Sequence, residues 1–139
     1  MASIKLKGRK VPLLYTSWEM KQVQEDLKCP IGQVMTRATG RNPDNPKDTS
    51  RFGAPDHLAA VAVLIRILGN AGLEEAGEEA DLTDKKVLRS LKPTELADAV
   101  NECINAINEG MKSEIPPDEE TGPVDVTLEE MKKKEPKAD

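Results

Sequence analysis

The sequence is poor in the residues that build a sheet sandwich or a disulfide framework. Its 139 residues include one Trp, one Tyr, one Phe and two Cys. An ordered core must therefore come from aliphatic and Met side chains, which favour helices over an all-β fold. No charged-then-apolar leader opens the chain, and the longest uncharged apolar run, 58–65, is far shorter than the roughly 20 residues of a membrane helix. We therefore expect a soluble protein of a reducing cytoplasm.

The chain also lacks the groupings of residues that catalysis and metal binding require. Its single histidine, His57, lies in the first turn of an apolar segment, where a surface or capping role is expected rather than that of a base or ligand. Cys29 and Cys103 form no zinc pattern; Cys103 is predicted to pack as a small apolar residue and Cys29 to be partly exposed. No glycine-rich loop follows a strand and opens a helix. The composition indicates an interaction protein without cofactor or metal, and not an enzyme.

Acidic charge is concentrated near the C-terminal end of the sequence. The chain holds 25 acidic and 20 basic residues, a net charge of −5. Residues 112–139 hold nine acidic residues and five lysines, which leaves the preceding residues close to neutral at −1. Proline and acidic runs in this part are typical of an extended, disordered tail. The acidic balance also disfavours nonspecific binding to nucleic acid or to an anionic membrane.

The N-terminal part has the pattern of a hairpin followed by a capped helix. Residues 3–15 alternate apolar and polar side chains on both sides of a glycine, which predicts a β-hairpin with one apolar face. Thr16 and Glu19 have the spacing of a capping box, so a helix is predicted to begin after Thr16 and to stop at Pro30. A further short turn of helix is predicted within 31–39.

The middle of the chain combines a polar loop with its most apolar segment. Residues 40–53 contain two Pro, two Gly, two Asn and two Asp, and are predicted to form a mobile loop. Pro55 suits the first turn of the next helix. The run 58–68 is apolar nearly all round, which predicts the central core helix of the domain, and Gly69 and Gly72 are predicted to end it.

Two further helices complete the predicted fold. Thr83 is the predicted cap of a short helix, and Pro93 opens a longer amphipathic helix. Residues on one stripe of that longer helix are predicted to be buried, namely Leu96, Val100, Cys103, Ile104, Ile107 and Met111. The sequence therefore predicts a mainly α (α+β) protein. An N-terminal β-hairpin packs on a bundle of about four to five helices over 1–111, and an acidic tail follows over 112–139.

Three stretches of the sequence form a distinctive combination: Ile4–Leu13 with the helix that follows, Leu64–Leu73 with its acidic connector, and Leu91–Met111. Taken together, they resemble the tail assembly chaperones of long-tailed phages and prophages, especially those of Gram-positive hosts. The resemblance implies a small helical protein of the host bacterial cytoplasm, absent from the mature virion. Such a protein coats the tape-measure protein and helps to recruit tail-tube subunits. The family often has a longer frameshifted form, for which Lys132–Lys134 marks a candidate slippery site.

A chaperone of a long helical client must present apolar surface reversibly, which aliphatic and Met side chains do well. Several copies along one client would favour self-association, so the chain is also a candidate homo-oligomer. The candidate contact residues are Tyr15, Trp18, Val61, Ile65, Leu68, Val124, Val126, Leu128 and Met131. The alternative is a small helical regulatory module of the antitoxin or anti-repressor type, which would bind one folded protein.

Overall fold

An N-terminal β-hairpin packs on five helices, which confirms the predicted fold class. The computed structural model describes residues 2–42, 44–45 and 47–111. A short 3-10 helix, Pro93–Glu95, precedes the last α-helix. The other elements within these residues are, in chain order, β1 (Ser3–Leu6), β2 (Arg9–Pro12), α1 (Ser17–Leu27), α2 (Ile31–Ala38), α3 (Pro55–Glu75), α4 (Asp84–Arg89) and α5 (Leu96–Met111).

The hairpin has the predicted apolar face. β1 and β2 are antiparallel, with Ile4 opposite Val11. Their two-residue turn, Lys7 and Gly8, has φ values of 52° and 83°, the left-handed pair of a type I′ turn, whose twist suits a hairpin. The side chains of one face are all buried, namely those of Ile4, Leu6, Val11, Leu13 and Tyr15. The alternation in the sequence therefore marks the face that meets the helices.

The capping box that the sequence predicts at the start of α1 is present. The Thr16 hydroxyl accepts a hydrogen bond from the Trp18 N–H at 3.2 Å, and the Thr16 N–H donates to Glu19 Oε1 at 2.8 Å. α1 ends at Leu27, three residues before Pro30, and α2 begins directly after that proline. Two amide hydrogens that α1 itself cannot bond are thus satisfied where the hairpin ends.

α3 is longer than predicted, because Gly69 and Gly72 lie within the helix and do not end it. A Cβ atom at Gly72 would lie 1.9 Å from the carbonyl oxygen of Pro12. The backbone after β2 therefore lies directly on the helix, and the Leu14 N–H donates to the Leu68 carbonyl oxygen at 3.1 Å. In the sequence, Gly72 resembles the end of a helix. In the structure it is a site of close backbone approach, which only glycine permits.

α3 is the central element of the bundle, as predicted. It packs against α1, α2, α4, α5 and β2. It is also the one helix among residues 2–42, 44–45 and 47–111 that is long and apolar enough to cross a membrane. Its mean hydropathy is 1.4 over an 18-residue stretch, and 67% of that stretch is buried inside the fold. Burial of an all-round apolar helix by its neighbours is what a domain core requires.

Polar side chains of α3 fasten the elements around it. The Asn70 side chain makes two hydrogen bonds to the backbone of Leu82. It donates to the carbonyl oxygen at 3.1 Å and accepts from the N–H at 2.9 Å. Arg66 donates to carboxylates of Asp26, next to the end of α1, and Asp84, at the start of α4. α3 thus fixes the position of the connector that leads into α4.

The buried face of α5 differs in part from the predicted stripe. Leu96, Val100 and Cys103 are buried as predicted, but Ile104 and Ile107 are half-buried. Met111 is 68% exposed, so its predicted burial is wrong. Alanines complete the buried face, because small side chains let α5 approach its neighbours closely. The larger apolar residues lie on the adjacent stripe of the helix.

Candidate functional site

A groove with apolar walls lies between α2 and α5. It has a volume of about 450 Å³. Its apolar walls come from Met35 on α2 and from Ile104 and Ile107 on α5, all of them half-buried. Residues on its border are Thr36, Thr39, Arg41 and Asn108. The groove exists because other elements cover only one side of the apolar stripe of α5 that carries Ile104 and Ile107.

The groove is suited to apolar contact rather than to hydrogen bonding. The Thr36 hydroxyl donates to the Gly32 carbonyl oxygen at 3.1 Å, and the Thr39 hydroxyl donates to the Met35 carbonyl oxygen at 2.9 Å. Because both protons are used within α2, the threonines offer their methyl groups and lone pairs to a ligand. The flexible Met side chain adapts to partners of varied shape, and the stiffer Ile side chains supply aliphatic contact area.

Met111 extends this apolar surface by one helical turn. It follows Ile107 by four residues, so the two side chains lie on the same side of α5. Its side chain is 68% exposed. We call Met35, Ile104, Ile107 and Met111 the α2–α5 surface. Sequence reasoning missed it as an interface, because a broad apolar stripe does not reveal which of its edges a neighbouring helix covers.

Trp18 is exposed, as a contact residue must be. Its side chain is 62% exposed on α1, and the Lys21 ammonium group lies 5.1 Å from the ring centroid. A cation over the face of an indole is a favourable but weak contact. Trp18 therefore stays a candidate contact residue, on α1 and apart from the α2–α5 groove.

Four other candidate contact residues lie in the core, so the fold does not expose them for contact with a partner. Tyr15 is 4% exposed, and Val61, Ile65 and Leu68 are fully buried. The reason is that the hairpin and four helices surround α3 and leave this part of it no free apolar side. Burial also raises the pKa of the Tyr15 hydroxyl. The remaining candidates, Val124, Val126, Leu128 and Met131, lie outside the described residues.

The single histidine is buried, so its predicted surface position is wrong, and it does not cap its helix, because the N–H that it binds belongs to Gly53, before the N-cap residue Ala54. His57 is 1% exposed, and its Nδ1 atom accepts a hydrogen bond from the Gly53 N–H at 2.8 Å. Its buried Nε2 atom lies toward the Ala38 carbonyl without a hydrogen bond of good geometry. Burial lowers the pKa of the imidazole, while Ala38 and the Asp56 carboxylate oppose that shift. The neutral ring therefore joins the loop to α3.

The thiols are placed for packing. Cys103 is fully buried, and burial raises its pKa to about 12, so it is a thiol and not a thiolate at neutral pH. Cys29 is 9% exposed, which corrects the prediction that it is partly exposed. Within 2–42, 44–45 and 47–111, no three His, Cys, Asp or Glu side chains form a group that could hold a metal ion.

The described part of the chain thus offers an apolar surface of adaptable side chains, with an exposed Trp elsewhere. Such a surface is suited to reversible binding of another polypeptide. Comparison of the chain with protein families, with curated proteins and with solved structures gives no match.

Proposed function

We propose that this protein is a tail assembly chaperone of a long-tailed phage or prophage. It binds the tape-measure protein in the bacterial cytoplasm, helps to recruit tail-tube subunits and leaves before the virion is complete. The observation that carries the proposal is the α2–α5 surface, an open groove with Met and Ile walls. The resemblance of three stretches of the sequence to that family supports the same assignment.

The size of the α2–α5 surface suits a short piece of a helical client. Ile104 and Met111 are seven residues apart on α5, which is about 10 Å along a helix. That length matches two turns of a client helix, whose apolar side chains recur every three or four residues. One copy would therefore cover only a small part of a tape-measure protein, so many copies would bind along it.

Weak contacts of this kind serve an assembly factor. Aliphatic and Met contacts without hydrogen bonds allow each copy to leave when tube subunits arrive. Multiple copies on one client still give a high overall occupancy, because neighbouring copies raise the effective concentration of each other. No catalytic group or cofactor takes part in this function.

The test is co-expression of the full chain with the tape-measure protein of the phage or prophage that the proposal assigns it to. We expect the natural sequence to keep the tape-measure protein soluble and to co-purify with it in several copies. Met111→Lys should abolish both effects, since it places a charge on the α2–α5 surface at a position that the fold does not bury. Asn105→Lys, on the outer side of the same helix, should have no effect.

Ile107→Lys serves as a second variant at the centre of the surface, with thermal unfolding by circular dichroism as a check on its fold. Equal co-purification of all three variants would contradict the site. Failure of the natural sequence to bind the tape-measure protein, together with a one-to-one complex with one folded protein, would instead support the antitoxin or anti-repressor alternative.

A further inference from the structure

The fold gathers basic residues into one surface, although the chain as a whole is acidic. The hairpin turn and α4 lie side by side and border two adjoining grooves, of which the larger has a volume of about 620 Å³. Asp81 and Glu95 are the acidic residues on their borders. The basic residues there are Lys5, Lys7, Arg9, Lys85, Lys86, Arg89 and Lys92.

Most of this positive charge is not neutralised within the described part of the chain. Asp81 accepts from Arg9 at 2.9 Å and pairs with Lys86 at 3.4 Å, so one carboxylate serves two cations. Lys7, Lys85 and Arg89 make no ion pair with any described residue. The surface therefore carries a surplus of exposed cations.

The hairpin beside this surface contains two unfavourable features, a pair of like charges and a strained turn residue. Lys5 lies directly opposite Lys10 in the strand register, and like charges in that position repel. Lys7 has φ 52° in the turn, where Asn or Gly would be less strained. Lys5 borders the smaller groove, so an anionic segment bound there would offset the repulsion between Lys5 and Lys10.

The larger groove also has apolar side chains among its cations. Leu6 from β1 and Leu82 from the connector line it together with Lys7, Lys86 and Arg89. Both leucines are largely buried and so present only part of their surface. An occupant that suits these walls combines carboxylates with aliphatic side chains.

One segment of the chain has that composition. Residues 113–131 contain seven acidic residues and no basic one, together with the aliphatic Val124, Val126 and Leu128. Its composition is complementary to that of the groove in both charge and apolar character. We propose that this segment, which we call the acidic segment, binds the larger groove of its own chain, which we call the basic groove.

The chain between α5 and the aliphatic part of the acidic segment, which begins at Val124, is long enough to reach the groove. The Ala2 N–H donates to Glu109 Oε1 at 3.1 Å, so α5 ends beside the open end of the hairpin. The groove lies at the turn of that hairpin, whose four-residue strands are about 13 Å long. Residues 112–123 span up to about 40 Å when extended. This length is enough for the part of the acidic segment from Val124 onward to reach the groove without rearrangement of the folded part.

Binding within one chain has two consequences. A short tether gives an effective concentration in the millimolar range, so even weak ion pairs keep the groove occupied. The contact weakens with salt, because exposed charges are screened. The acidic segment would thereby keep other anions off the basic groove, and this inference does not depend on the α2–α5 surface.

Paramagnetic relaxation in the full chain tests the proposal. A spin label is attached to Thr127→Cys; the native Cys29 and Cys103 are buried, and a sample without the new cysteine, treated in the same way, serves as the blank. We expect the amide signals of residues 6–9 and 83–90 to lose most of their intensity, and those of α2 to keep it. High salt should restore the lost signals.

Charge reversal then tests the site. Lys85→Glu, Lys86→Glu and Arg89→Glu together should restore the signals at low salt. The matched control, Lys21→Glu, Lys28→Glu and Lys47→Glu, makes the same change of net charge away from the groove and should leave them broadened. Broadening that persists after reversal in the groove, or that is absent from the natural sequence, would overturn the proposal. A last sample mixes an isotope-labelled chain that carries no spin label with a second copy that carries it. Broadening of the first chain's signals would also overturn the proposal, since the contact would then join two copies.

Discussion

The two ends of α3 are held by contacts of different kinds. Near its C-terminal end the backbone of Pro12 and Leu13 lies directly on Gly72, and the backbone of Tyr15 lies equally close to Gly110 of α5. At its first turn the loop is held by the side chain of His57, through one hydrogen bond from Gly53. The first contact joins backbone to backbone, and the second depends on a side chain that titrates.

This difference predicts that the two ends of α3 respond differently to added side-chain atoms and to pH. Backbone atoms cannot rotate away from an added methyl group, so the hairpin end should be sensitive to sterics and insensitive to pH above the range where carboxylates titrate. The loop end should tolerate changes of shape better, but it should respond to the protonation of one imidazole. The following predictions test that contrast, beginning with the largest effect.

Gly72→Ala should be the most destabilising of the changes considered. A Cβ atom there would lie 1.9 Å from the Pro12 carbonyl oxygen, so either the hairpin or α3 must move. Alanine is otherwise the better helix residue by about 1 kcal/mol. We expect the free energy of unfolding to fall by roughly 3 kcal/mol, as measured by denaturant unfolding.

Gly32→Ala is the matched control for that change. A Cβ atom at Gly32, on α2, meets no atom within 4 Å. This substitution should raise the free energy of unfolding by about 0.5 kcal/mol, since it only removes freedom from the unfolded chain. If both substitutions were stabilising, the close approach of the hairpin to α3 would be wrong.

His57 should make stability depend on pH at the other end of α3. Its folded pKa is lowered by burial, so the unfolded chain takes up a proton first as the pH falls below about 6.5. The stabilisation is complete above that pH and is lost below it, by at most about 1.4 kcal/mol per pH unit. Carboxylates with lowered pKa, such as Asp56 beside Arg51, act only at lower pH.

His57→Asn isolates this effect. Asn keeps an acceptor for the Gly53 N–H but does not titrate, so the decline in stability between about pH 6.5 and 5 should disappear. At pH 7.5 the variant should be less stable by about 1–2 kcal/mol, because the imidazole packs against Phe52 with ring centroids 4.4 Å apart. An unchanged pH profile would show that His57 is not the titrating group.

Much of this fold could be predicted from the sequence, because local signals and burial agree there. The capping box at Thr16 needs only residues three apart, and the alternation on both sides of Gly8 gives the apolar face of the hairpin directly. Gly72 shows the limit of that reasoning. A glycine after an apolar run resembles a helix end, and only the contact with Pro12, 60 positions away in the sequence, explains it.

The candidate site was harder to predict for a related reason. Hydrophobic side chains such as Val61 and Ile107 look alike in a sequence, and their exposure depends on how many neighbours surround each helix. α3 is enclosed by other elements, whereas one edge of α5 is not. The basic groove was hidden in the same way, since Arg9 and Lys86 meet only because the hairpin turn lies beside α4.

Thr16→Ala should have a moderate effect at the junction between the hairpin and α1. The change removes the acceptor for the Trp18 N–H and one partner of the Glu19 carboxylate. Loss of such a cap costs about 1 kcal/mol, and denaturant unfolding should show that decrease. Thr16→Ser keeps the hydroxyl and should retain most of the stability; an equal loss in both variants would mean that packing of the Thr methyl group, and not capping, is what matters.

The smallest expected effect is a gain at the start of α3. Its N-cap residue is Ala54, which has the extended backbone of an N-cap, φ −73° and ψ 161°, but no side-chain hydrogen bond. Ala54→Ser supplies a hydroxyl for a free N–H of the first turn and should raise the free energy of unfolding by about 0.5–1 kcal/mol. The same gain should appear in the His57→Asn background, because the hydroxyl and the bond from Gly53 serve different N–H groups. If the gain appeared only when His57 is absent, the imidazole would already satisfy the N–H groups at the start of α3. The loop end would then resemble the hairpin end, with no free backbone donor.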